Sequence, residues 1–217
     1  MSKRRIGLIR VISYEDESRA SAHGRLLERL YPDIEVVTRC IPDQPQGIHD
    51  AETEALAEPK IVRLGERMAR EDGIEALIVS CAADPGVASL RHRVGFPVVG
   101  AGSSVACLAL GFSDRVATMG ITEGTPARMK ALLGPCLVAE ARPAGVTNTL
   151  ELNTEAGRAS AFGALRGLVA EGARVVALAC TGFATLGVAD EMTRQAGVPV
   201  LDPVAAAGLF ARAYIGR

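Results

Sequence analysis

A chain of 217 residues, 48% of them apolar, is long enough for one large domain or two small ones around a well-buried core. Its 24 Lys and Arg residues balance 25 Asp and Glu residues without any block of like charge, and aromatic residues make up only 4%, with no Trp. This composition argues against nucleic-acid and membrane partners and against aromatic stacking sites, so we expect a small-molecule substrate.

The chain opens with a predicted strand inside the segment MSKRRIGLIRVISYEDES. Its apolar run is broken by Arg10 and is too short for a signal peptide or a membrane span. We therefore expect a cytoplasmic protein.

Short β-branched runs then alternate with helical patterns, which is typical of βαβ units and parallel sheets. The predicted strands are Arg5 to Ile9, Ile34 to Arg39, Glu75 to Ser80, Pro97 to Val99, Arg115 to Gly120, Cys136 to Glu140, Val175 to Ala179 and Val198 to Leu201. The predicted helices begin near Glu15, Lys60, Pro85, Ser103, Thr125, Glu155, Thr185 and Val204. This order indicates an α/β fold of two pseudo-symmetric Rossmann-like lobes, each a roughly four-stranded parallel sheet flanked by helices, with an active-site cleft between them.

The predicted lobes divide the chain unevenly. Residues 1–99 and 204–217 form the first lobe, because the last helix is expected to pack back on the first half, and residues 100–203 form the second. The stretch from Cys40 to Lys60 carries prolines among acidic and polar residues, and it is predicted to be a long loop. Such a loop either covers the cleft or is an ordinary surface connection.

The two halves resemble each other in sequence. The segments EDGIEALIVSC and AEGARVVALAC each place a glycine eight positions before a cysteine at the end of an apolar strand. The corresponding features, in the same order in both halves, are Arg5 and Arg115, Gly73 and Gly172, Cys81 and Cys180, and residues 95–100 and 197–202. A repeat of about half the chain predicts duplicated domains.

Cys81 and Cys180 both follow a predicted parallel strand, where ligands of α/β sheets bind. Asp84-Pro85 is interpreted as the N-cap and first residue of a helix, and Thr181-Gly182 offers exposed backbone N–H groups. Both features favour anions, so each thiol is expected to have its pKa lowered toward neutrality and to act as a base or nucleophile. The alternative is that both cysteines are small core residues.

The remaining cysteines and the histidines carry no such signal. With an odd number of widely spaced cysteines and no CxxC pair, neither disulfides nor a bound metal is predicted. A phosphatase loop needs an arginine six residues after the cysteine, where Val87 and Leu186 stand. No histidine has an evident relation to Cys180, which argues against a Cys-His protease. The residues assigned to packing or to solvated helix faces are Cys40, Cys107, Cys136 and His92.

Two further loops at strand ends are candidate parts of the site. In GAGSSV, Ser103 and Ser104 either bind a substrate oxygen or cap a helix. The loop lacks the third glycine of a dinucleotide fingerprint. In GITEGT, Thr122 or Glu123 is either a substrate contact or a cap.

These motifs resemble those of the aspartate/glutamate/hydantoin racemase superfamily, most closely its hydantoin-racemase-like branch. The resemblance is carried by SCAADPG around Cys81, by ACTG around Cys180 and by the two-half layout across the chain. It implies a racemase or epimerase that uses no cofactor. One cysteine would act as thiolate base on one face of a carbon acid, and the other as thiol acid on the opposite face.

The expected site follows from that resemblance. The expected catalytic residues are Cys81 and Cys180, and the expected substrate-binding residues are Arg10, Ser13, Ala82, Ser103, Ser104, Thr122, Thr181 and Gly182. Backbone amides after Ala82 and Thr181, and the hydroxyls of Thr122 and Thr181, are expected to stabilise the enolate. The expected partners are a small-molecule substrate and further copies of the chain in a homo-oligomer.

The substrate is expected to be a hydantoin, an allantoin-like ureide or an amino acid. The loop after the first strand reads IRVISYED, where hydantoin racemases carry an Asn-Pro-Asn type of turn. Arg10 in this loop could bind a carboxylate, which would favour an amino acid. Two alternatives stay open: a decarboxylase or cis-trans isomerase of the same superfamily, and a non-catalytic two-lobe ligand-binding protein. Decarboxylases of this kind usually keep one cysteine of the pair, and a binding protein needs neither.

Overall fold

The computed structural model describes residues 3–215 and contains two four-stranded parallel sheets. The strands are β1 (Arg4–Arg10), β2 (Ile34–Cys40), β3 (Ala76–Ser80), β4 (Val98–Gly100), β5 (Val116–Met119), β6 (Leu137–Ala141), β7 (Val175–Leu178) and β8 (Val200–Leu201). The first sheet has the order β2-β1-β3-β4 and the second the order β6-β5-β7-β8. The predicted α/β fold with two four-stranded parallel sheets is confirmed.

Helices flank both sheets. They are α1 (Glu17–Ala20), α2 (Ala22–Leu30), α3 (Ala51–Glu71), α4 (Val87–Arg91), α5 (Ala101–Leu110), α6 (Ala127–Leu133), α7 (Thr149–Leu152), α8 (Glu155–Ala170), α9 (Gly182–Leu186), α10 (Ala189–Ala196) and α11 (Pro203–Ile215), with a 3₁₀ turn at Gly134–Cys136. In the part of the chain that the structure describes, no helix is both long enough and apolar enough to cross a membrane.

The central strands are buried along their length because helices cover both faces of each sheet. Every residue of β3 and of β7 is buried, and so are the last five residues of β1. A parallel strand covered on both faces has to be continuously apolar, which is the pattern that made these strands visible in the sequence. The apolar runs therefore fix where each sheet ends and where the loops of the site begin.

The sequence repeat corresponds to a structural repeat. Gly73 and Gly172 both adopt positive φ angles, 61° and 91°, at the turn into β3 and β7. Each turn is tied to the first strand of its own sheet by an arginine that donates to a backbone carbonyl: Arg5 Nη1 to Asp72 O at 2.9 Å, and Arg115 Nε to Gly172 O at 2.7 Å. The two strand ends that carry the cysteines therefore lie at equivalent positions of equivalent sheets.

The predicted loop from Cys40 to Lys60 is wrong over its second half. Helix α3 begins at Ala51, because Asp50 and Thr53 form a reciprocal capping box in which the Asp50 carboxylate accepts from Thr53 N at 2.8 Å. Pro59 lies inside this helix, whose buried face packs on the first sheet. The true connection is only residues 41–50, and the first turn of α3 is brought to the cleft.

The last helix, α11, packs against α2, β3, β4 and α5. Its small buried residues allow this close approach: at Gly208, an added Cβ would overlap the side chain of Leu27. Tyr31 on the edge of α2 donates its hydroxyl to Ala205 O at 3.1 Å. These contacts join the end of the chain to the first sheet, while the lobe boundaries at residues 99 and 204 stay a prediction.

Candidate active site

The two cysteines lie on one cavity of about 560 Å³ between the sheets. Cys81 follows β3 directly, and Cys180 comes two residues after β7. Both side chains are nearly buried, with 9% and 7% of their residue surface exposed. Other walls come from the loop after β1, from the first turn of α3 and from the loops after β5 and β6. Residues of both sheets thus converge on a single space.

The loop after Cys81 differs from the sequence prediction. Helix α4 begins only at Val87, with Gly86 in the N-cap position, so the expectation that Asp84 and Pro85 start this helix is wrong. Asp84 instead adopts a left-handed backbone with φ of 57°. Its carboxylate accepts from Gly102 N at 2.8 Å, from Ser103 N at 2.7 Å and from Ser103 Oγ. Asp84 therefore caps α5, and it ties the cysteine loop to that helix.

Glycines make this tie possible. A Cβ at Gly100 would overlap the Asp84 carboxyl group, and one at Gly102 would overlap the carbonyl oxygen of Ala82. The backbone of the Cys81 loop thus rests directly on the first turn of α5. The orientation of Cys81 is consequently determined by a helix that begins 20 residues later in the chain.

The loop after Cys180 holds its sulfur from two sides. Gly182 N donates to Cys180 Sγ at 3.3 Å, and Thr149 Oγ1 lies 4.0 Å from the same sulfur. A Cβ at Gly182 would lie 2.7 Å from Thr149 Cγ2 and 3.3 Å from Cys180 Sγ, so glycine is needed there. In the other loop, the backbone amide of Ala83 acts to lower the pKa of Cys81. In both loops, the amide two residues after the cysteine thus favours the thiolate.

The expectation of lowered thiol pKa values is wrong for both cysteines. Burial raises the pKa of Cys180, against the opposing donors Gly182 N and Thr149 Oγ1. Burial also raises the pKa of Cys81, and the Ala83 amide opposes it. Loss of hydration therefore outweighs the hydrogen bonds that stabilise the thiolates, and both groups are thiols at neutral pH.

The surroundings of the two sulfurs differ in charge. The negative charges of Asp84 and Glu54 raise the pKa of Cys81 further. Cys180 has only hydrogen-bond donors among the groups that change its pKa besides burial. Ionisation of Cys180 is thus favoured over ionisation of Cys81.

Five of the residues expected to bind substrate line the cavity, namely Arg10, Ala82, Thr122, Thr181 and Gly182. Thr122 Oγ1 already donates to Gly124 O at 2.7 Å, and Thr181 Oγ1 to Ser80 O at 3.2 Å. Because each hydroxyl proton is used within the protein, these threonines present only lone pairs to the cavity.

Arg10 lies at the cavity wall, and one of its three side-chain nitrogens is bonded within the protein. It is 3% exposed, and its Nη1 donates to the carbonyl oxygens of Arg19 and Ala20 at 3.0 and 3.2 Å. Its guanidinium carbon is 5.3 Å from the centroid of the Tyr14 ring. The group therefore holds the loop after β1 against α1.

Ser13, Ser103 and Ser104 are not among the residues that line the cavity. Ser13 Oγ donates to Ile41 O at 2.9 Å and accepts from Gln44 N at 2.7 Å. Ser104 Oγ donates to Gly100 O at 2.7 Å, and Ser103 Oγ donates to the Asp84 carboxylate that caps α5. In this structure all three hydroxyls hold backbone or helix ends in place.

Several cavity residues escaped sequence reasoning. Tyr14, Glu54, Arg142 and Thr149 all line the space. Glu54 was not predicted as a site residue because its segment was predicted to be a loop. The capping-box pair Asp50 and Thr53 is the sequence signal that indicates a helix starting there. Arg142 and Thr149 follow β6, and nothing in the local sequence marks them. Among residues 3–215, no group of three or more His, Cys, Asp and Glu side chains is arranged to hold a metal ion.

The chain is similar in sequence and in fold to known proteins. Residues 15–209 match the family model described as Asp/Glu/Hydantoin racemase. The chain is 31% identical over 186 residues to a hydantoin racemase of Paenarthrobacter aurescens, which covers 79% of this chain and 74% of the relative.

Solved structures give the same fold. An allantoin racemase from Klebsiella pneumoniae superposes with a TM-score of 0.83 at 22% identity, covering 99% of this chain and 88% of its own. A liganded mutant of arylmalonate decarboxylase superposes with a TM-score of 0.70 at 17% identity, covering 99% of this chain and 93% of its own. At these identities, the structural likeness establishes the fold alone.

Proposed function

Because the chain belongs to the Asp/Glu/hydantoin racemase family and is a racemase, we propose that it inverts a carbon acid without a cofactor, with Cys81 and Cys180 as acid and base. The observation that carries this proposal is the pair of thiols at equivalent ends of β3 and β7, on one cavity. A packing role explains one buried cysteine, but it does not explain two at matched positions of a repeat with a shared space between them.

The reaction requires two groups because inversion moves protons on opposite faces. A thiolate removes the proton from the carbon next to a carbonyl, and the electron pair of the C–H bond passes into the enolate. The other cysteine then donates its S–H proton to the opposite face, and the electron pair returns to carbon. One S–H bond forms as another breaks, so the two cysteines exchange protonation states in each turnover. Each sulfur must stand within about 3 to 3.5 Å of the carbon.

We assign the thiolate that acts as the first base to Cys180, the cysteine that ionises more readily. Its sulfur accepts from Gly182 N and lies near Thr149 Oγ1, whereas negative groups surround Cys81. Because both thiol pKa values are raised, the ionised fraction at neutral pH is small. The rate should therefore rise with pH as the base ionises.

We propose a hydantoin or an allantoin-like ureide as the substrate. Two of the similar proteins are named hydantoin racemase and allantoin racemase, after substrates of this kind. The cavity wall carries the half-buried carboxylate of Glu54, close enough to Cys81 to raise its pKa. The carboxylate of Glu54 has no hydrogen-bond or ion-pair partner among the described residues, so ring N–H groups of the substrate would be complementary to it.

A free amino acid is the second candidate, and one residue favours it. An α-carboxylate needs a cation, and Arg10 Nη1 already donates to two carbonyl oxygens. Arg142 is the exposed cation of the cavity wall that could take this role. Loss of activity on an amino acid in Arg142→Ala, with activity on hydantoins retained, would identify that contact.

Incubation in deuterated water tests the proposal. Single enantiomers of a 5-substituted hydantoin, of allantoin and of several amino acids are followed by polarimetry and mass spectrometry, with enzyme-free samples as controls for spontaneous racemisation. We expect inversion with one deuterium gained per product molecule. Release of CO₂ from an arylmalonate would instead support the decarboxylase. Tight binding without any exchange would support the ligand-binding protein, and either result would overturn the proposal.

A further inference from the structure

His23 on α2 lies outside the cavity wall and contacts residues near both cysteines in the chain. Its side chain is almost fully buried, with 1% of the residue exposed. Nδ1 lies 2.8 Å from Ser80 Oγ, and Nε2 lies 3.0 Å from Thr185 Oγ1. Ser80 is the last residue of β3, directly before Cys81, and Thr185 lies in α9, the short helix that follows Cys180. One imidazole thus joins the two elements that carry the thiols.

A second hydrogen bond links the same two elements. Thr181, directly after Cys180, donates its hydroxyl to the carbonyl oxygen of Ser80 at 3.2 Å. Ser80 is therefore held through its side chain by His23 and through its backbone by Thr181. These bonds join chain segments that are about 100 residues apart in sequence.

The imidazole is held neutral in this position. Burial lowers the pKa of His23 well below its usual value, and the neighbouring positive charge of Arg10 lowers it further. A neutral imidazole has one donor and one acceptor nitrogen, which matches two hydroxyl partners that can each donate or accept. Both ring nitrogens are satisfied, and His23 is not among the residues that line the cavity.

We propose that His23 is a positioning residue that fixes the separation of Cys81 and Cys180 across the substrate. This role rests on the two-cysteine reaction proposed above. Two sulfurs on different sheets must reach opposite faces of one carbon, so the spacing of the sheets at this point determines whether both proton transfers occur. A displacement of about 1 Å is enough to lower a rate by roughly 100-fold.

Loosening the bridge should affect the two proton transfers unequally. If the second sulfur stands too far from the enolate, the enolate lives longer and takes its proton back on the original face. The hydrogen on the first sulfur then has time to exchange with solvent. Unreacted substrate should therefore gain deuterium, although in the intact site most deuterium appears in the inverted product.

The test uses two variants that break the bond between His23 and Thr185 from its two ends, and a third that can restore it. In His23→Asn, the amide replaces Nδ1 and keeps the bond to Ser80, but nothing reaches Thr185. Thr185→Val removes the other end of the same bond at nearly constant volume. In His23→Gln, the longer amide can restore the contact with Thr185. The readouts are kcat, KM and the ratio of deuterium in unreacted substrate to deuterium in product, on whichever compound the wild type racemises.

We expect His23→Asn and Thr185→Val to lower kcat by about 10- to 100-fold with KM changed less than about 3-fold, and to raise the deuterium ratio. Because both variants break the same hydrogen bond, kcat of the double variant should be little lower than kcat of either single variant. His23→Gln should recover part of the rate. A wild-type rate and deuterium ratio in both single variants would overturn the proposal.

Thr193→Val is the matched control. Thr193 Oγ1 accepts from Val200 N at 3.0 Å within the second half, so this variant also removes a threonine hydroxyl without touching the bridge. Melting temperatures of all variants separate lost stability from lost spacing: an equal rate loss in Thr193→Val at equal melting temperature would count against a positioning role. Failure of the two-cysteine reaction is distinguishable, because Cys81→Ser and Cys180→Ser would then remain active.

Discussion

The two cysteine loops occupy equivalent places in a repeated fold, yet they are built differently. The Cys81 loop has a left-handed Asp84 whose carboxylate caps another helix, and negative groups lie around its sulfur. The Cys180 loop runs into its own short helix and presents Gly182 N to the sulfur at 3.3 Å. The structural repeat thus places two thiols at matched positions, and the difference between the loops makes Cys180 easier to ionise than Cys81.

The helices that follow the fourth strand of each sheet show the same divergence. Pro97 and Pro199 accept equivalent bonds, from Leu77 N at 3.0 Å and from Val176 N at 2.9 Å, so the strands before these helices align. Three residues after Pro199, Asp202 caps α11 by accepting from Val204 N at 2.7 Å.

The equivalent position in the first half is Gly100. There the carboxylate that caps α5 comes from Asp84 in the cysteine loop. One half caps its helix locally, and the other uses the cap to fix a catalytic loop.

The largest effect on the rate is expected when either thiol is replaced, and hydrogen exchange should distinguish the two cysteines. Cys81→Ser and Cys180→Ser should each slow inversion by about 100- to 10,000-fold, which is what a positioned acid or base contributes. If Cys180 is the first base, Cys81→Ser should keep α-hydrogen exchange for one enantiomer within about 10-fold of wild type. Cys180→Ser should lose exchange for both enantiomers. Mass spectrometry after incubation in deuterated water measures this.

Equal exchange in the two serine variants would contradict the assignment of the base, although it would leave the two-cysteine reaction intact. Cys136→Ser is the control, because that cysteine lies in the 3₁₀ turn before β6, outside the cavity wall. It should retain both inversion and exchange.

The second prediction concerns the contact between the Cys81 loop and α5. Gly102→Ala should push the carbonyl of Ala82 away and displace Cys81, and kcat should fall by roughly 100-fold. The second half has Val204 at the equivalent place, so this close approach belongs to the first half only. Steady-state kinetics on the folded variant measures the effect.

Gly163→Ala on α8 is the matched control for Gly102→Ala. Its new Cβ would meet only the far end of Arg166, at 3.9 Å. It should leave kcat unchanged and stabilise the helix by up to about 1 kcal/mol. Unchanged kcat in Gly102→Ala would show that the Cys81 loop can shift without consequence.

The third prediction concerns the Asp84 carboxylate, which caps α5 from within the Cys81 loop. Asp84→Asn keeps the shape of the side chain but replaces one accepting oxygen with an N–H₂ group that faces backbone donors. We expect unfolding by urea to show a loss of about 1 to 3 kcal/mol, the range for leaving a buried donor unsatisfied. An unchanged unfolding midpoint would mean that the cap contributes little to the fold.

Asp84→Asn should also lower the pKa of Cys81, because the charge of Asp84 raises it in the wild type. The rate of alkylation of Cys81 by iodoacetamide at a fixed pH should therefore increase. This second readout is independent of stability.

The central strands were predictable from the sequence because buried parallel strands are continuous apolar runs, and the two cysteines were visible because they follow such runs. The start of α3 was missed because Pro59 and an acidic composition resemble a loop, whereas the capping box at Asp50 determines where the helix begins. The partner of Asp84 lies 18 residues away, beyond any local capping rule.

The thiol pKa values were predicted in the wrong direction for a related reason. Exposed amides near Cys81 and Cys180 favour a thiolate, and the sequence reveals these amides. The opposing loss of hydration depends on how completely both sheets enclose the sulfurs, which only the folded structure determines. For the same reason, the wall residues Arg142 and Thr149 and the bridge made by His23 could not be foreseen.

The smallest expected effect tests the local cap of the second half. Burial raises the pKa of Asp202 to about 6, although the amides of Ala205 and Val204 oppose this. A carboxyl group whose pKa is higher in the folded protein binds its proton more tightly there than in the unfolded chain. Folding is therefore favoured by protonation of Asp202, and its contribution to stability is lost as pH rises from about 4 to about 6.

Asp202→Asn should abolish that part of the pH dependence. Since the residue is partly exposed to solvent, we expect the stability of wild type minus variant to fall by only about 1 to 2 kcal/mol over this range. Urea unfolding at pH 4, 5, 6 and 7 measures the difference. At pH 7 the variant should be at least as stable as wild type, because asparagine is also a good N-cap and carries no buried charge. A stability difference that stays constant with pH would mean that Asp202 titrates as it does in the unfolded chain. Asp202, which caps its own helix, and Asp84, which caps α5 from the Cys81 loop, would then differ only in geometry.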